Sequence, residues 1–221
     1  MKNYVFFLIT IIIFFNSTSI SNSALETKIL AKVENQFIRG DVGSLIHEHV
    51  NYFSFDSAIN LFESCGFKID DLYKTEDNIA IKVSKSKIDA INHNKLKTGD
   101  SLLPHVNNMQ VKVKKNKILT EKLLKEGYKI GFHGACNALS NFLYLANLNT
   151  NRQYSIFDGD ITKRGEYLPF SSIPIKHSSD PTYSEMDYIF IAASTASEAI
   201  RQSAKGKIKE ENIIDLFSLD T

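Results

Sequence analysis

The feature that most constrains the fold is the run Tyr128-Lys129-Ile130-Gly131-Phe132-His133-Gly134-Ala135-Cys136. Its apolar, β-branched and aromatic front half reads as a short buried strand over residues 128–132, and its small residues as a tight turn over 133–136. A helix follows from about Asn137, with Leu139, Phe142, Leu143 and Ala146 recurring on its inner side. The rhythm then repeats. Residues 154–157 read as a second strand ending at Asp158, and residues 187–193 as a third. Thr195-Ala196-Ser197-Glu198 has the pattern of a capping box opening a last helix, and residues 213–217 close the sheet. Short β-α-β connections between buried strands imply an α/β unit built on a doubly wound parallel sheet.

That unit carries a candidate site of its own. Gly131, Gly134 and Ala135 put small residues where a ligand can approach the backbone, and the helix opening at Asn137 would offer amides to an anion such as a phosphate. Asp158 ends the next strand, where an acid would meet a ribose. Gly-x-x-Gly falls short of the full dinucleotide fingerprint, so helix–sheet packing is the competing reading of the turn. Cys136 reads as a buried turn residue with no base beside it. His133 fits a surface position equally well.

A second candidate lies nearer the N-terminus, in Ile46-His47-Glu48-His49-Val50-Asn51-Tyr52-Phe53-Ser54. Imidazole takes up and returns a proton near neutrality, so two of them flanking a carboxylate suit general acid–base work. In extended backbone His47 and His49 share one face and Glu48 takes the other. The alternative is a structural histidine pair at a domain seam. A metal is disfavoured, because His-x-His supplies two ligands and no third is evident.

Around these motifs the chain is less eloquent. With 221 residues, 43% of them apolar, it can bury a real core, and a net charge of +1 gives no electrostatic case for nucleic acid. Cys65 and Cys136 form no disulfide framework. In residues 1–24, Lys2 precedes an apolar run over residues 4–15 and then small polar residues, the layout of a secretory signal or short anchor; a strand is the rival reading. Residues 25–41 read as mildly helical up to the Gly40-Asp41 turn. Ser54 reads as an N-cap for a helix carrying Phe55, Ala58, Ile59 and Phe62 on one face, which Gly66 stops. Residues 68–75 and 78–84 read as a hairpin with one edge left bare. Residues 85–104 read as a loop. A basic helix follows over about 106–126, with Lys112, Lys114, Lys115 and Lys117 on a solvated face.

Three separate motifs carry a family resemblance. They are the turn from Gly131 to Asn137, Asp158 followed by Lys163-Arg164-Gly165-Glu166-Tyr167-Leu168-Pro169, and Ile173-Pro174-Ile175. Together with the histidine stretch they resemble the S-adenosylmethionine-dependent sugar C-methyltransferases of deoxysugar biosynthesis, from about Val33 to near the C-terminus. Ile46 departs from the family's tyrosine, and the family's lysine in the glycine turn is not preserved. The resemblance implies a Rossmann-like C-terminal domain at residues 105–221. Before it stands a partial methyltransferase region at 25–104, a helix and hairpin remnant of a methyltransferase sheet, and first the apolar segment 1–24. It implies a nucleotide-linked keto-sugar as substrate, His49 as the base that forms an enolate, and Glu48 and His47 as its positioning groups. Tyr52, Gly131, Gly134, Ala135, Asn137, Asp158, Lys163 and Tyr167 become the candidate substrate-binding residues. S-adenosylmethionine is the implied cofactor, although its binding domain is expected to be absent from this chain. Three alternatives stay open: a non-catalytic nucleotide-sugar binding module, a subunit working with a separate methyl-donor chain or as a homo-oligomer, and a truncated inactive product. The chemistry places the protein in the cytoplasm, whereas the apolar segment points to a membrane-anchored or secreted one.

Overall fold

The computed structural model describes residues 26–31, 34–45, 53–74, 78–85, 103–150 and 153–218. The apolar segment 1–24, the histidine stretch from Ile46 to Tyr52, the hairpin tip and the loop containing His93 lie outside the described residues.

Five parallel strands form the main sheet: β4 (Ile130–His133), β5 (Tyr154–Asp158), β6 (Ile175–His177), β7 (Tyr188–Ile191) and β8 (Ile213–Asp215), in the order β6-β5-β4-β7-β8. The chain thus fills one side of β4 before crossing to the other, as Rossmann-like sheets do. The protein is α/β. β4 is buried at all four positions, which explains its unbroken run of small and apolar residues. Alternate residues serve opposite faces. Ile130, Phe132, Ile156 and Phe190 join a core with residues of α1 (Glu34–Arg39), α3 (Leu103–Lys125) and α4 (Asn137–Leu145). Phe157, Ile189, Ile191 and Ile213 join a second core with Tyr183, Ile208 and residues of α5 (Ser197–Ala204).

A smaller antiparallel sheet has the order β1-β3-β2, from β1 (Glu26–Ala31), β2 (Phe67–Lys74) and β3 (Asn78–Lys85). Residues 25–41 are therefore not one helix: β1 is a strand, and only α1 is helical. The expected bare edge of the hairpin is also filled, because β1 pairs along β3 from Glu26↔Val83 to Ala31↔Asn78. Helix α2 (Phe55–Ser64) lays Ala58 and Phe62 on Ile81 and Val83 of this sheet. Ser54 caps it as expected: its hydroxyl accepts from the Ser57 amide at 3.1 Å while the Ser57 hydroxyl accepts from the Ser54 amide at 2.8 Å.

Between β1 and α2 the chain visits the main core. Phe37 and Val42 are buried there, and the Asn141 side chain on α4 donates to the Val42 and Leu45 carbonyls at 2.8 and 2.9 Å. Helix α3 starts at Leu103, inside the expected loop. Lys112 is not on a solvated face but 7% exposed, its ammonium donating to the Ser218 carbonyl at 2.6 Å. One turn on, Asn116 donates to the Leu216 carbonyl at 2.7 Å. The capping box expected at residues 195–198 does not form. A 3-10 turn over Ser194–Ala196 leads into α5, whose N-cap is Ala196 with no side-chain cap, and the Ser197 hydroxyl donates to Asp215. Among the described residues, no helix is long and apolar enough to cross a membrane.

Candidate functional site

The sheet reverses its direction of growth between β4 and β7, and in open α/β sheets the crevice beyond the strand ends at that point is where ligands settle. On the β5 side the crevice is closed by the protein itself. The Asp158 carboxylate is buried and accepts from the Ala135 amide at 2.7 Å, the Asp160 amide at 2.9 Å and the Lys163 ammonium at 3.0 Å. Lys163 also donates to the Ala135 carbonyl at 3.0 Å, so acid and lysine together clasp the turn. A buried carboxylate with two amides and an ammonium on it is compensated in place.

Gly134 has φ +106, and a Cβ there would stand 2.8 Å from the Ala193 Cβ, so the turn is already in contact with β7's exit. Gly131 sits lower, in mid-strand, where a Cβ would meet Ile189 Cδ1 at 2.7 Å and the Phe157 ring at 2.9 Å. Its smallness serves sheet packing. His133 is buried rather than at the surface, its Nδ1 2.8 Å from the Tyr183 hydroxyl. Burial drives its pKa down to about 4 against the attraction of Asp158, so the ring is neutral at pH 7. Burial pushes the Cys136 thiol up, and its Sγ lies 3.5 Å from the Ala192 carbonyl, which is no setting for a nucleophile.

On the β7 side the crevice opens into a cleft of about 280 Å³, lined by Gln36, Asp41, Ser44, Asn137 and Ser194 among others. Asp41 is 6% exposed: one oxygen accepts from the Gly43 amide and the other from the Ser194 hydroxyl, both at 2.8 Å. The Gln36 Oε1 is buried without a hydrogen-bond partner. A hollow of equal volume lies at the opposite end of the sheet beside Tyr154, but there Lys129 pairs with Glu185 at 3.1 Å and Lys176 donates to Thr182 at 3.0 Å.

The structure therefore brings Gly134, Ala135, Asp158 and Lys163 together and puts Asn137 on the cleft wall. It sets Gly131 inside the sheet and Tyr167 on an exposed loop bridged to Pro174. His47, Glu48, His49 and Tyr52 are outside the described residues. Gln36, Asp41, Ser44 and Ser194 escaped the sequence reading. Gly40-Asp41-Val42-Gly43, an acid placed to turn back on its own backbone, was the available signal.

Residues 74–214, well over half of the chain, match the family described as the C-methyltransferase C-terminal domain. The chain belongs to that family. It is a methyltransferase-like protein, and the turn, the acid-ended strand and the Tyr167-Leu168-Pro169 loop all fall inside the match, whereas the histidine stretch precedes it. No curated protein matches the chain. The family suggests use of S-adenosylmethionine, but the mouth of β4 and β5 does not fit an adenosyl group. The acid that would take a ribose has its oxygens engaged, and Ala193 occupies the approach to Gly134.

Proposed function

We propose that this chain supplies the sugar-binding and base-bearing part of C-methylation of a nucleotide-linked keto-sugar. The family match over residues 74–214 carries the proposal. A doubly wound, Rossmann-like winding belongs to the same reading, supported by the strand order and by helices on both faces of the sheet.

In this reading His49 takes the proton from the carbon beside the sugar ketone. The C–H electron pair forms a carbon–carbon double bond, the ketone π pair moves onto oxygen, and the proton stays on the imidazole. The product is an enolate, the carbon nucleophile that C-methylation requires. Such carbon acids are weak, so the enolate oxygen needs electrostatic help besides the base. Glu48 and His47 position the base or the sugar hydroxyls, with Tyr52 alongside.

The test is proton exchange. A keto-sugar nucleotide in deuterated water should incorporate deuterium at the carbon beside the ketone in the presence of the parent chain. His49→Ala should lose that incorporation while keeping ligand affinity. Exchange that survives the substitution removes His49 from the role. The engaged Asp158 carboxylate favours a second reading, a binding module or a subunit of a split enzyme. That reading expects nucleotide-sugar binding without exchange by this chain alone.

A further inference from the structure

We propose that, independently of what its crevice binds, the protein docks on an anionic phospholipid surface through the outer face of α3. The helix presses Met109, Val113, Thr120 and Leu123 into the protein and turns its opposite side to solvent. Lys114, Lys115, Lys122 and Lys125 are all exposed there, and at about 3.6 residues per turn they fall within about a third of the circumference. Val111 and Ile118, 65% and 56% exposed, run down the middle of the same strip. Of α3's own residues none within the strip is acidic. Glu121 and Glu126 flank it, reaching Lys117 at 3.7 Å and Lys122 at 3.9 Å, and such exposed pairs hold little. The whole chain carries only +1, so four ammoniums gathered on one face leave the remainder acidic on balance. A negative surface therefore turns this face toward itself.

The makeup of the strip selects its partner. Lys114 and Lys125 stand about 16 Å apart along the helix axis, too far for one free phosphate to bridge, so the counterpart is an extended array of negative charge. Nucleic acid is gripped by arginine and stacked on aromatic rings, and α3 contains neither. Val111 and Ile118 would also lie idle against a phosphate track. At a bilayer they reach between the headgroups while the lysine stems lie along apolar surface and their ammoniums stay with the phosphates. Four lysines clustered on an exposed helix are what an anionic leaflet attracts.

Flotation of the full chain with vesicles tests this, using phosphatidylcholine alone or mixed with phosphatidylserine. The protein should favour the mixed vesicles at low salt and lose that preference in about 1 M salt, where charges are screened beyond about 3 Å. Retention through the apolar residues 4–15 would be indifferent to headgroup charge, so the neutral vesicles set that baseline. Lys114→Gln with Lys122→Gln should cut the preference about twenty-five-fold, about fivefold per ammonium. Both side chains are exposed, so the fold is retained. Lys205→Gln with Lys209→Gln, exposed just after α5, makes the same change in net charge and should cost less than about twofold. Val111→Ser with Ile118→Ser should weaken retention on the mixed vesicles while leaving its salt sensitivity unchanged. Equal losses from the two lysine pairs, or no preference for phosphatidylserine, overturn the proposal. So does displacement from the vesicles by an equimolar single-stranded oligonucleotide, which would make nucleic acid the partner.

Discussion

Replacing Gly134 by alanine tests the close approach between β4 and β7 on which the crevice depends. Two costs combine. At φ +106 an L residue is strained by about 1–2 kcal/mol. The new Cβ would also lie 2.8 Å from the Ala193 Cβ and 2.9 Å from its amide nitrogen, and because backbone cannot swing aside the overpacking adds about 1–3 kcal/mol. The sum, about 2–5 kcal/mol, is a large share of the stability of an ordinary domain and should lower Tm by roughly 10 °C. Gly206→Ala is the control, with φ +78 and nothing within 4 Å of the added carbon. It should show the backbone strain alone, about 1–2 kcal/mol. Urea unfolding followed by circular dichroism measures both, with unchanged m-values confirming that the native state alone is affected. The reasoning is refuted if the two variants agree within about 0.5 kcal/mol, because the contact with Ala193 would then carry no energy.

Ser54→Ala removes the hydroxyl arm of the reciprocal cap on α2, leaving the residue-54 amide on the Ser57 hydroxyl, and should destabilise that helix by about 1 kcal/mol, read as faster amide exchange through Ala58 and Phe62 with β4 unaffected. His133 should impose a pH dependence on stability. Its folded pKa, about 4, lies below the ordinary 6.5, so between those values the unfolded chain binds the extra proton. Stability is therefore whole above pH 6.5 and declines as pH falls toward 4, by about 3 kcal/mol in all. His133→Gln should flatten that limb of the unfolding free energy between pH 4 and 6.5, and a limb that keeps its slope points to other groups.

The parallel strands were legible because a strand buried on both faces has to be apolar throughout, as in Tyr188-Ile189-Phe190-Ile191. β6 was not, being three residues long after Pro174, too short for any period to show. Residues 26–31 misled for a related reason: their apolar spacing satisfies helix and strand alike, and only pairing with β3, some fifty residues away, decides between them. The capping box of Thr195 and Glu198 failed because a 3-10 turn takes up Ser194–Ala196 and moves the helix start to Ser197, with Ala196 as its uncapped N-cap. At the site, the turn and its acid could be read as a pair of ligand contacts, yet the ammonium of Lys163 turned one against the other. Gln36 and Asp41 stayed invisible because a polar residue ahead of a turn looks solvated until the core closes over it.

The inward polar groups of α3 give the protein an order of assembly. Lys112 and Asn116 find their acceptors at Ser218 and Leu216, about a hundred residues downstream. As the chain leaves the ribosome, α3, the longest helix among the described residues, emerges with an ammonium and an amide aimed at carbonyls not yet synthesised. The main unit therefore closes only once residues 216–218 reach α3, whereas the smaller sheet, complete within residues 26–85, needs nothing from them.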